Sequence, residues 1–150
     1  MKMEKWLGHV CAGLLALQVA VVLWGVLTRY LLGNQAGWTE ELARFLLIWI
    51  SLLGAAYAVS RRSHIAIQLF PDRLQTGRRK KLYRLIDGLI LLFALFVLVI
   101  GGGYYVWLTF YLGQRSPSLK VPVGIFYLAV PLAGLLISFF KAKDLIHGRT

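Results

Sequence analysis

The chain has 150 residues, of which 59% are apolar, a net charge of +11 and a single cysteine. A mean hydropathy of +0.69 excludes an ordinary water-soluble domain, in which roughly half the residues are apolar. Cys11 has no second cysteine to pair with, and its place in an apolar run predicts a small buried side chain.

Four apolar runs, Trp6 to Thr28, Phe45 to Ser60, Gly88 to Gly113 and Val121 to Phe140, contain no Asp, Glu, Lys or Arg. About 20 such residues cross a bilayer as a helix, and the second run reaches that length when it starts at Trp38. The sequence therefore predicts an all-α membrane protein. Its four transmembrane helices cover about residues 6–30, 38–60, 84–112 and 121–141, within one membrane domain of residues 1–150. The basic Met1–Lys5 stretch precedes a run too long for a secretory signal and without a small-residue cleavage site, so it reads as the start of a retained first span.

The first span ends at Thr28–Arg29–Tyr30, where Arg29 can reach outward and Tyr30 can sit at the interface. A turn carrying Gly33–Asn34 and Gly37 follows. The second span opens with Trp38–Thr39–Glu40–Glu41. Thr39 is the expected N-cap, with both carboxylates in the first turn, where the helix dipole favours them. Arg44 can pair with Glu40 at i,i+4 and with Glu41 at i,i+3. Further along, Ser51, Gly54, Ala55 and Ala58 form a small face suited to close helix contact.

The connection to the third span holds His64–Phe70, a short apolar piece expected to lie amphipathically in the headgroup plane and to end at Pro71. Asp87 can pair with Arg84 one turn earlier. In the third span, Gly101–Gly102–Gly103 favours close packing over an unwound ion-binding break, and Tyr104, Tyr105, Trp107, Phe110 and Tyr111 crowd the outer half. The fourth span has Pro122 at its expected first turn and Pro131 where a kink is expected.

Thirteen of the seventeen basic residues flank the spans on one side: before the first, between the second and third, and after the fourth. This positive-inside pattern predicts that both termini and the central loop are cytoplasmic. Those charges suit anionic headgroups, so membrane lipid rather than nucleic acid is the expected partner.

The apolar centres of the spans carry no ionisable side chain, and Gln18 is the most polar group at mid-depth. A self-contained transporter places ligands near the midplane, so an independent oligomeric exporter or channel is the weaker alternative. His9, His64 and His147 are scattered toward one face, which fits neither axial haem ligation nor a zinc site. No nucleophile–base or paired-carboxylate arrangement suggests an enzyme, and no cofactor is expected. The residues singled out are Trp38, Glu40, Glu41, Arg44, Trp49, Gly54 and Ala58, read as subunit-interface or bundle-fixing positions. For Glu40, Glu41 and Arg44, a self-neutralised helix start accounts for the same pattern.

The run Trp38–Thr39–Glu40–Glu41–Leu42–Ala43–Arg44, then Trp49, Gly54–Ala55–Ala56 and His64–Ile65, resembles the small membrane subunit of tripartite ATP-independent periplasmic (TRAP) transporters. Trp107, Gln114, Ser116–Pro117, Pro122, Tyr127 and Pro131 are similar to that family's last loop and fourth span; Gln68 departs from it, standing where an acidic residue is expected. The resemblance implies an accessory subunit. It would brace a large many-span subunit that carries the substrate and sodium sites and receives a solute, such as a carboxylate, from a periplasmic binding protein.

Overall fold

The computed structural model describes residues 2–33, 36–61 and 76–146. Four helices among them are long and apolar enough to cross a membrane, over Glu4–Leu31, Gly37–Ser60, Arg84–Tyr111 and Gly124–Leu145. The first is α1 (Lys2–Leu31) and the second α2 (Gly37–Ser60). The third is composite: α3 (Thr76–Phe93), a π-helical stretch from Ala94 to Gly101, and α4 (Gly102–Tyr111). The fourth divides into α5 (Gly124–Tyr127) and α6 (Ala129–Ile146). The segment expected to lie in the headgroup plane, with His64 and Gln68, falls outside the described residues.

The spans lie in the order first, second, fourth, third. Among the described residues α1 approaches only α2, α2 approaches α1 and the fourth span, and the third span approaches only the fourth. The row does not close on itself. Burial follows the same order. The two middle spans bury 28% and 39% of their apolar windows, and the two edge spans only 11% and 17%.

Small residues set the closest approaches. A Cβ on Gly8 would stand 3.2 Å from the Tyr57 ring, where α1 meets α2. One on Gly102 would stand 2.7 Å from Val130 Cγ1, and one on Gly134 the same distance from Leu98 Cβ. Gly102 and Gly134 let the third and fourth spans touch backbone to side chain, the usual means of helix association in lipid. Of the Gly101–Gly103 run, packing thus falls on Gly102, while Gly103 faces open space.

Pro131 lacks the N–H that would bond the carbonyl of Tyr127, and the helix is interrupted at Leu128, just beyond that carbonyl. Regular bonding resumes with the Leu132 amide on the Leu128 carbonyl at 3.2 Å. Pro122 precedes the helix, in an isolated bridge with Arg115, rather than opening it. Cys11 is half-exposed, not buried.

One apolar cluster joins the spans at the end that carries the chain termini: Leu7, Ala56, Val59, Ala94, Ile137 and Phe140, with Tyr57, Ile90, Leu98 and Leu136 against them. Glu4 lies within electrostatic reach of Arg61 and Lys143 at the same end.

Candidate subunit-interface sites at the two ends

The amino end of α2 carries a compact group of ionisable residues, Glu40, Glu41 and Arg44. The helix starts at Gly37 with Ala36 as N-cap and no side-chain cap. Thr39 is therefore inside the helix, not its N-cap. Its buried hydroxyl donates back to the Ala36 carbonyl at 2.6 Å. The earlier start leaves Glu40 in the first turn and moves Glu41 beyond it.

The two glutamates then part company. Glu40 pairs with Arg44 across one turn, on an exposed face. Glu41 leaves Arg44 and crosses to the connection between the third and fourth spans. Its Oε2 accepts from the backbone amides of Ser118 at 3.0 Å and Leu119 at 3.2 Å, and the Ser116 hydroxyl oxygen also accepts from the Leu119 amide at 3.1 Å. The expected Glu41–Arg44 pair is replaced by a clamp between elements 77 residues apart. A carboxylate accepting from two amides gains charge-assisted bonds, which an exposed i,i+3 pair would not match.

The clamped connection is itself ordered by its own backbone. The Gly113 amide bonds to Phe110 at 3.0 Å and the Gln114 amide to Thr109 at 3.1 Å. With Gly113 at φ +61, this is the left-handed helix end that glycine favours. The Ser116 amide then reaches Val121 at 2.9 Å, and the Val123 amide reaches Gln114 at 3.0 Å. One turn deeper, Phe45 stacks on Phe126 with centroids 3.7 Å apart and planes within 3°. Thus Glu41 and Phe45, one helical turn apart, fasten α2 to the loop and then to the fourth span.

The remaining predicted positions point elsewhere. Trp38 is exposed and Trp49 half-exposed, so Trp38, Glu41, Phe45 and Trp49 do not share one environment. Gly54 has nothing within 4 Å of a Cβ, and Ala58 is partly exposed. The small face of α2 is unoccupied within the described residues.

At the opposite end lies a pair that the sequence reading assigned differently. Lys141 Nζ donates to Asp87 Oδ1 at 2.8 Å, with side chains only 2% and 3% exposed. Asp87 is thus tied to the fourth span, while Arg84 is exposed. A signal was available: adjacent antiparallel spans bring the beginning of the third and the end of the fourth together. Each of those ends carries a charge directly beside its apolar run, Asp87 before Gly88 and Lys141 after Phe140.

Residues 18–150 match the family described as tripartite ATP-independent periplasmic transporters, DctQ component. A Haemophilus influenzae protein assigned as a TRAP transporter small permease protein is 28% identical over 95% of this chain and 87% of its own length. The sialic acid TRAP transporter small permease protein SiaQ of Vibrio cholerae is 31% identical over 74% of this chain and 68% of its own. The isethionate TRAP transporter permease protein DctMQ of Oleidesulfovibrio alaskensis is 32% identical over 89% of this chain, which corresponds to 22% of that longer protein.

Proposed function

The chain belongs to the DctQ component family of tripartite ATP-independent periplasmic transporters, and on that premise we propose that it is the small accessory subunit of a secondary active solute importer. In this reading it braces a large membrane subunit, which receives solute from a periplasmic binding protein. The observation that carries the proposal is the open row of spans. Among the described residues each edge span has one neighbouring span, an array that offers long apolar walls to another membrane protein.

The finer assignments follow from the same role. The membrane is the bacterial inner membrane, with both termini and the central loop cytoplasmic, as the basic residues favour. That orientation puts the Glu41 clamp at the periplasmic face. Glu41 fixes the shape of the wall there, and Trp38, Trp49, Gly54 and Ala58 dock the partner, supported by their exposure. The exposed Glu40–Arg44 pair belongs to the same docking edge. Coupling is to sodium, and the solute is a carboxylate.

Co-expression with the many-span large permease subunit of a TRAP transporter from the same genome tests the role. The two are expected to co-purify, and Arg44→Glu to reduce recovery of the complex. In liposomes, uptake should need the large subunit, the binding protein and this chain together, and should stop when potassium replaces sodium. Solute transport by this chain alone would overturn the accessory reading in favour of a self-sufficient channel or exporter.

A further inference from the structure

A groove of about 280 Å³ runs between α1 and α2 at the Glu41 end of the molecule. Its α1 wall is Val22, Gly25, Val26 and Arg29, spaced i, i+3, i+4 and i+7, which places them on one helix face. Thr39, Glu40 and Ala43 form the α2 wall, and Tyr30 stands at the rim. Val22 to Arg29 spans roughly 10 Å along the axis, so the groove passes from a charged mouth to an apolar floor. Its volume is about nine times the share of one liquid water molecule.

The charges at the mouth are complementary to one kind of headgroup. Arg29 is exposed and has no ion pair or hydrogen bond among the described residues. Across from it, Glu40 keeps a carboxylate oxygen beyond the Oε1 that receives Arg44. A free guanidinium suits a phosphodiester, while a carboxylate on the facing wall repels phosphate and accepts from an ammonium. Gly25 leaves the floor without a side chain, and Val22 and Val26 can line an acyl chain entering from the bilayer.

We propose that this groove seats a phospholipid with a phosphoethanolamine headgroup, its phosphate on Arg29, its ammonium on Glu40 and one acyl chain along Val22 and Val26. The site is separate from the Glu41 clamp; it shares Glu40 with the proposed docking edge, but lipid binding there does not require the transport role. It makes the lipid a wedge between an edge span and its one neighbour.

Native mass spectrometry of the full chain, purified with the subunits that accompany it, tests the assignment. The protein is equilibrated with micelles containing equal amounts of phosphatidylethanolamine, phosphatidylglycerol and phosphatidylcholine. One retained phosphatidylethanolamine is expected. Arg29→Gln should weaken retention about tenfold or more, the weight of one charge-assisted hydrogen bond. Val26→Trp should abolish it by filling a groove wall that is already exposed, whereas Leu23→Trp, outside the groove on the same helix, should leave it unchanged. Glu40→Gln should remove the preference over phosphatidylcholine, whose trimethylated nitrogen offers no N–H. The proposal is overturned by wild-type retention in Arg29→Gln and Val26→Trp, by an equal or greater preference for phosphatidylglycerol or phosphatidylcholine, or by no retained lipid.

Discussion

Asp87 and Lys141 form the perturbation with the clearest expected size. Their 2.8 Å separation corresponds to an attraction of about 6 kcal/mol at an effective dielectric of about 20. Burying both charges costs several kcal/mol for each, so the net contribution of the intact pair is small. Removing one partner is different, because the other stays buried and loses the opposite charge that faces it, at about 3–5 kcal/mol. Lys141→Met takes the ammonium away from the short Asp87 side chain, which cannot reach the headgroups, and should give the larger loss of the two. In Asp87→Leu the long Lys141 stem can carry its ammonium toward the headgroups, so the loss should fall at the lower end. The double variant Asp87→Leu/Lys141→Met restores an apolar contact and should lie within about 1 kcal/mol of wild type. Equilibrium unfolding in mixed micelles, followed by tryptophan fluorescence, measures all four proteins. Additive losses in the double variant, or single variants as stable as wild type, would refute a buried and mutually dependent pair.

Gly102→Ala should destabilise the protein by about 1–3 kcal/mol through overpacking, since its Cβ would meet the branched Val130 at 2.7 Å; Gly103→Ala should be neutral in the same unfolding assay, and Val130→Ala should rescue Gly102→Ala. Glu41→Ala should accelerate hydrogen exchange at the Ser118 and Leu119 amides while leaving α6 amides near Lys141 unchanged; unaltered exchange at those two positions would remove the clamp. Phe45→Ala and Phe126→Ala should show a coupling of about 0.5–1.5 kcal/mol in a double-mutant cycle, and independence would mean that the stack holds nothing.

The spans were legible because bilayer thickness imposes a length and composition that survive without knowledge of tertiary contacts. The Glu40–Arg44 pair was legible because both partners lie on one turn of one helix. Glu41 and Asp87 were not, for a shared reason: local spacing offered each a plausible nearby arginine, and the actual partners lie 77 and 54 residues away. Which span neighbours which decides such contacts, and hydropathy carries no information about neighbours. Thr39 shows a finer limit, since Gly37 and Trp38 extended the helix past the residue with the best capping chemistry. The π-helical stretch from Ala94 to Gly101 lies in a wholly apolar run whose composition gives no reason to leave the ordinary helix. Gly102 could be foreseen only as one of three adjacent candidates.

The order first, second, fourth, third also has a consequence for biosynthesis. As the chain leaves the ribosome, the first two spans can meet as a hairpin, but the third arrives without a neighbour among them. It gains a protein contact only when the fourth span enters, and that last span simultaneously joins the third to the earlier hairpin. The fourth span is therefore the keystone of insertion: a chain stopped before Gly124 would leave a hairpin and a solitary helix adrift in the same membrane.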